Sequence, residues 1–124
     1  MARRVTQGEG KRLGLPGRSA LEMVSGEIGS AVTFRIVEIP VPAPGETLRG
    51  PHLHHGYEEC IYVLKGVGVT FYEGGELPVK AGDVVLVPPE EKHATRNTGS
   101  EPLVLLCFFP TPDIVPTTEN FPAF

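Results

Sequence analysis

Short runs of β-branched and aromatic residues, separated by Gly and Pro, recur along this chain. No segment keeps the i, i+3, i+4, i+7 apolar spacing over the ~10 residues that a helix requires. Short apolar runs between turn residues are typical of the strands of a β-sandwich or closed barrel. The pattern therefore predicts an all-β domain. The predicted strands are Val32–Ile39, Cys60–Leu64, Val67–Tyr72, Val84–Val87 and Leu103–Phe109.

The length and composition suit one globular domain. The chain has 124 residues, and its 13 Pro and 15 Gly leave little room for helices. Hydrophobic residues make up 40% and charged residues 21%, which are ordinary values for a folded protein. We expect an N-terminal arm at residues 1–14, a barrel at 15–110 and a Pro-rich C-terminal tail at 111–124.

Charge and hydropathy exclude several classes of partner. The formal net charge is −4, so the chain has no broad positive field for nucleic acid or an anionic membrane. The N-terminus lacks the apolar stretch of a secretory signal, and Leu103–Phe109 is far shorter than the roughly 20 residues that span a bilayer. Two cysteines, Cys60 and Cys107, are too few for a disulfide scaffold. We expect a soluble cytoplasmic protein that binds a small-molecule substrate.

A cluster of histidines is the strongest chemical signal. In a strand, residues i and i+2 point to the same face, so His52 and His54 would project together while His55 turns to the surface. An acidic pair, Glu58 and Glu59, opens the next predicted strand. Two imidazoles and a carboxylate can hold a metal ion and leave coordination positions open. The spacing alone leaves open whether these histidines bind metal or are ordinary surface and core residues.

This segment resembles the first motif of the cupin superfamily, in which His-x-His is followed at set distances by Glu and Gly. Four residues separate His54 from Glu59, and six separate Glu59 from Gly66. With Glu58 as the ligand the second gap would be seven residues, so Glu59 fits the motif better.

The second cupin motif is matched as well, and two positions depart from the family pattern. Glu90 stands in a turn where the family usually has Gly, which affects the shape of that turn. Glu46 stands where the first motif commonly has Gly. The matching positions are Gly82, Pro88, His93 and Asn97.

The resemblance implies a double-stranded β-helix, or jelly roll, of six to eight strands in two sheets. It also implies one divalent transition-metal ion in the barrel mouth, with Fe, Mn, Ni, Co, Cu and Zn all open as its identity. Similar His3Glu sites serve dioxygenases, decarboxylases, isomerases and lyases that act on small oxygenated or carboxylated compounds. We therefore expect a metalloenzyme, with dioxygenase-type chemistry slightly favoured. The alternative is a non-catalytic module that binds or senses a sugar-like molecule. The implied ligands are His52, His54, Glu59 and His93.

Two other side chains are candidates for catalysis. Arg35 is the cation inside the predicted strand at 32–39, and from the lumen it could hold a substrate carboxylate by a two-pronged hydrogen bond. Pairing with a neighbouring acid is the simpler alternative. Tyr57 lies in the turn between ligands and could gate the site or donate a proton, although plain packing is simpler.

The run Leu103–Phe109 is apolar at every position, so both faces of this strand need cover. The barrel core can cover one face. We expect a second subunit to cover the other, which predicts a homodimer.

Overall fold

Eleven β-strands make up about half of residues 1–122, the part of the chain that this computed structural model describes. They form two antiparallel sheets. The strands are β1 (Lys11–Leu15), β2 (Arg18–Val24), β3 (Thr33–Ile39), β4 (His52–His54), β5 (Glu59–Lys65), β6 (Val67–Tyr72), β7 (Gly75–Lys80), β8 (Val84–Val87), β9 (His93–Asn97), β10 (Leu103–Phe109) and β11 (Thr118–Asn120). One sheet has the order β1-β2-β3-β10-β5-β8, and the other has the order β11-β4-β9-β6-β7.

The prediction of an all-β jelly roll is confirmed. All five strands predicted from apolar runs are present, with ends that agree to within one residue. The sequence patterns missed β1, β2, β7 and β11. Three of these, β1, β7 and β11, are edge strands, which have one strand neighbour and solvent on the other side. Edge strands carry polar residues and Pro more readily than central strands do, so their sequences give a weaker signal.

The core forms between the two sheets from alternate residues of each strand. In β5, Glu59, Ile61 and Val63 point inward and are buried, while the residues between them are more exposed. Val63 and Leu103 are 0% exposed. The same alternation that builds the apolar core therefore places the Glu59 carboxylate in the lumen.

Strand pairing extends past both ends of the predicted barrel. Residues 11–15 pair with β2, and residues 118–120 pair with β4. The division into arm, barrel and tail stays a prediction, but parts of both outer segments belong to the sheets.

Helical structure in residues 1–122 is limited to three 3-10 turns of three residues each. These turns are Gln7–Glu9, Gly26–Ile28 and Val115–Thr117. In the described part of the chain, no helix has the length and hydropathy needed to cross a membrane.

Candidate metal centre

Three histidines meet because β4 lies beside β9 in the smaller sheet. His52 and His54 occupy i and i+2 positions of β4, so both rings point into the lumen. His52 is directly opposite His93 in the β4–β9 pair. The ring centroids of His52 and His93 are 4.4 Å apart, and those of His52 and His54 are 5.0 Å apart.

The fourth side chain comes from the opposite sheet. Oε1 of Glu59 lies 3.0 Å from Nε2 of His93 and 3.2 Å from Nε2 of His54. One potential ligand atom from each of the four residues lies within 4.8 Å of all the others. Glu58 is exposed on the other face of the chain, as the motif spacing predicts. The structure thus brings together the four side chains that the sequence singled out.

The hydrogen bonds around this cluster suit a cation between the four side chains. Nδ1 of His93 contacts the backbone carbonyl of Glu91 at 2.9 Å, and a carbonyl can only accept, so this nitrogen carries a proton. In neutral His93, Nε2 is then an acceptor that faces another acceptor, the Glu59 oxygen. Nε2 of His54 is buried and has no hydrogen-bond partner. An orphaned buried acceptor is costly unless an ion or a proton satisfies it, so this donor set fits a bound metal.

The electrostatics favour the metal-binding forms of two of the four side chains, His52 and Glu59. Burial lowers the pKa of His52 to about 2, so its imidazole is neutral at physiological pH. Burial alone would raise the pKa of Glu59, but the adjacent imidazoles of His54 and His93 hold it below its usual value. Burial would also lower the pKa of His93, and the Glu59 hydrogen bond and charge raise it instead. A neutral imidazole and an ionised carboxylate are the forms that bind metal, so a bound cation would displace the proton that Glu59 favours on His93.

The turn before His93 holds Glu90 in the left-handed backbone region. Glu90 has a φ of 63°, and it is the one non-glycine residue with positive φ in the described chain. Its backbone amide donates to the His54 carbonyl, and its side chain accepts a hydrogen bond from the Gly56 amide at 2.8 Å. These bonds offset the roughly 1–2 kcal/mol that an L-residue costs in the left-handed region. Asn97 props the following turn by donating to the carbonyls of Ile39 and Glu101.

A cavity of about 1140 Å³ opens onto the four clustered side chains. Two arginines that the sequence analysis did not single out, Arg18 and Arg49, also line it. Burial lowers the pKa of Arg49 to about 10 and also lowers that of Arg18, and the Coulomb interaction with Glu59 opposes both shifts. The cavity therefore combines a candidate cation site with two fixed positive charges.

Arg35 faces the lumen and is held by an acid. Its Nε and one terminal nitrogen each lie 2.8 Å from Oε2 of Glu22 on the neighbouring strand. Both side chains are about 11% exposed and both line the cavity. The pairing with a neighbouring acid that the sequence left open is thus present. A catalytic role for Arg35 stays a prediction, and any substrate carboxylate there would compete with Glu22.

Tyr57 packs behind the cluster. Its ring stacks on His54 with centroids 5.9 Å apart, and its hydroxyl contacts Oγ1 of Thr117 at 2.7 Å. It is half-buried and is not among the residues that line the cavity. These contacts favour the packing alternative, and a catalytic role for Tyr57 stays a prediction. His55 is exposed, as strand alternation predicts, and its Nε2 lies 2.8 Å from Glu119.

Sequence reasoning could not find the two cavity arginines. Arg18 lies on β2, a strand with no clear apolar run, and Arg49 lies in a Pro/Gly-rich segment before β4. The one available signal was that Arg49 stands three residues before His52.

Comparison with known proteins agrees with this architecture. Residues 41–109 match the family model described as "Cupin domain". An uncharacterised protein of Methanocaldococcus jannaschii is 34% identical over 86 residues, which cover 69% of this chain and 67% of that protein. The oxalate-binding protein of Thermotoga maritima is 41% identical over 63 residues, about half of each chain (51%). The structure of Bacillus subtilis oxalate decarboxylase, studied for its Mn(II) centres, superposes with a TM-score of 0.74 at 21% identity, covering 93% of this chain and 31% of that one.

The fold, the two motifs and the inward-facing His3Glu cluster define a metal-site cupin barrel. The family match covers more than half of the chain, so this protein belongs to the cupin domain family. The decarboxylase has the same fold, but an identity of 21% is too low to assign its activity to this chain.

Proposed function

We propose that this cupin is a metal-dependent enzyme that acts on a small carboxylated or oxygenated metabolite. One divalent transition-metal ion would be held by His52, His54, Glu59 and His93. When bound, such an ion polarises an oxygen of the substrate or lowers the pKa of a bound water. The observation that carries the proposal is the pair of cationic side chains, Arg18 and Arg49, in the same cavity as this ligand set.

Both arginines have hydrogen-bonding capacity left for an anion. Arg18 donates to the carbonyl of Pro16 at 2.9 Å, and Arg49 donates to the carbonyl of Thr95 at 3.3 Å. Neither forms an ion pair with any residue between 1 and 122. A guanidinium carries five N–H donors in a planar fork that fits a carboxylate in two-pronged fashion. A substrate carboxylate would therefore both neutralise these charges and direct the reacting group toward the histidines.

The cavity has room for more than a two-carbon acid. Its volume of about 1140 Å³ is slightly above the range of roughly 300–1,000 Å³ that is ordinary for small-molecule pockets. Apolar side chains, including Leu13, Leu15 and Ile39, form part of its wall. These features favour an organic acid with an apolar or extended body.

The relatives suggest the first compounds and ions to test. One relative is named for binding oxalate, and one structural neighbour is an oxalate decarboxylase with Mn(II) centres. We therefore place Mn²⁺ and carboxylic acids first among the candidate ions and substrates. Decarboxylation, isomerisation, elimination and oxygen chemistry are all compatible with an open His3Glu site.

The test is turnover by protein purified without a metal-affinity tag and loaded in turn with Mn²⁺, Fe²⁺, Ni²⁺ or Zn²⁺. The panel comprises oxalate, larger 2-oxo and 2-hydroxy acids, enediols and catechols. Arg18→Gln and Arg49→Gln should each raise the KM for the active acid by roughly 10- to 100-fold, the worth of a hydrogen bond to a charged group. Arg12→Gln is the matched control, because Arg12 is exposed on β1 and should leave KM within about twofold. Normal KM values in both cavity variants would contradict the proposed role of the arginines.

A non-catalytic binding module is the second candidate, favoured by the relative named for binding rather than catalysis. It predicts saturable binding of an acid in calorimetry, with no product formed under any metal loading. Binding without turnover across the whole panel would establish it over the enzyme.

We also propose that the protein forms a homodimer through the outer face of the larger sheet. On β5 and β8, Leu64, Val84 and Leu86 are 51%, 61% and 57% exposed. The outer residues of β10, the central strand between β3 and β5, continue this apolar face. Contiguous exposed apolar surface of this kind marks protein–protein contact, and a second copy covers it symmetrically.

A further inference from the structure

The C-terminal strand lies directly behind the strand that carries two of the candidate ligands. In the β11–β4 pair, Thr118 is opposite His54 and Asn120 is opposite His52. The amide of His55 donates to the Thr117 carbonyl at 2.8 Å and continues this pairing beyond β4. The strand lies outside residues 41–109, the segment that matches the family model. The strand β11, which is outside the family match, therefore pairs with the strand that carries both histidines of the first motif.

One side chain of this strand reaches the far nitrogen of a candidate ligand. Oγ1 of Thr118 lies 2.9 Å from Nδ1 of His54 and 2.6 Å from the carbonyl oxygen of Ile114. The carbonyl can only accept, so the hydroxyl proton of Thr118 is donated to it. The contact with His54 must then run the other way, with Nδ1–H as donor and the threonine oxygen as acceptor. Neutral His54 is consequently the tautomer whose Nε2 lone pair faces the Glu59 side of the lumen.

We propose that Thr118 is a positioning residue of the metal centre, which fixes both the ring orientation and the tautomer of His54. This inference rests on the proposed function, because it assumes that the four side chains bind a metal. The backbone carbonyl of Glu91 fixes the ring and tautomer of His93 in the same way, and no side-chain substitution removes that carbonyl. For His54 the partner is instead a side-chain hydroxyl, that of Thr118, which a substitution can remove. Partners of this kind typically account for 10- to 100-fold in metal affinity.

The neighbouring threonine offers a matched control. Thr117 also bonds to the Ile114 carbonyl, at 3.3 Å, and its hydroxyl contacts the Tyr57 hydroxyl at 2.7 Å. It thus ties the same C-terminal segment to the barrel through a similar pair of hydrogen bonds. Its side-chain hydrogen bonds go to Tyr57 and Ile114 and not to a candidate ligand. A loss of metal affinity caused only by loosening of the segment would appear in both threonine variants.

The experiment measures the Kd of Zn²⁺ and of Mn²⁺ by competition with a chelating dye, using the full chain. Thr118→Val should raise Kd by roughly 10- to 100-fold. Thr118→Ser, which keeps the hydroxyl, should bind nearly as the parent does, and Thr117→Val should stay within about threefold. Thr118→Ala serves as a second variant if the valine variant folds poorly, as judged by circular dichroism.

Nitrogen NMR of the histidine rings in the Zn²⁺-loaded protein supplies a readout that does not depend on activity. In the parent, His54 should show a protonated Nδ1, and in Thr118→Val this signal should broaden or shift. Equal Kd values in Thr118→Val and the parent would overturn the inference, as would equal weakening in the Thr117 and Thr118 variants. Absence of metal binding by the parent would instead overturn the proposed function, and this inference with it.

Discussion

Replacing Glu59 by Gln tests both the ligand set and the orientation of β5. The substitution keeps the shape of the side chain and removes its charge. Four candidate ligand atoms lie within 4.8 Å of one another, so an ion between them is closer than that to the carboxylate. At an effective dielectric constant of 20, a unit charge at this distance contributes about 3.5 kcal/mol for each charge on the ion. Even if a bound water recovers half of the energy for a divalent ion, affinity should fall by roughly 100- to 1000-fold.

The assay is the same dye competition, with Glu58→Gln as control. Glu58 is chemically identical, one residue away and exposed, so its variant should bind metal nearly as the parent does. The melting temperature of each apo variant separates weakened binding from misfolding. Normal binding by Glu59→Gln together with lost binding by Glu58→Gln would refute the assignment of the ligand and the inward face of β5.

Three further predictions concern the rest of the barrel. Burial raises the pKa of the Cys107 thiol well above its usual value, so in native protein at pH 8 alkylation should be confined to Cys60, as read by peptide mass spectrometry. Leu103→Ala removes a side chain that is 0% exposed and should lower the free energy of unfolding by about 2–5 kcal/mol in urea titrations. The control, Leu77→Ala at a 41% exposed position, should lower it by less than about 1 kcal/mol. Light scattering should give twice the 13.4 kDa chain mass for the parent, and Leu86→Glu should lower the measured mass to that of the monomer. A parent that is monomeric at high micromolar concentration would exclude the dimer.

Local patterns in the sequence were enough for much of the fold and for the four clustered side chains. The central strands β3, β5, β6 and β10 and the edge strand β8 were predicted because each is an apolar run between turn residues. Two-residue alternation placed His52 and His54 on one face and turned His55 away. The spacing of the cupin motifs selected Glu59 over Glu58. These features depend on residues that lie within one or two strands of one another in the chain. They can therefore be predicted from the sequence without knowing which strands pair.

Only the tertiary structure shows what surrounds those side chains. Thr118 meets His54 across 64 residues of chain, and Arg35 meets Glu22 because β2 and β3 pair, although β2 gave no clear signal. Arg18 and Arg49 come from different segments and share a cavity because the sheets close around it. Each of these contacts depends on which strands become neighbours, and strand order is decided by how the two sheets bury their inner faces together. The sequence alone therefore determines the candidate ligands, whereas packing of the whole barrel decides their orientation and the charge of the cavity they face.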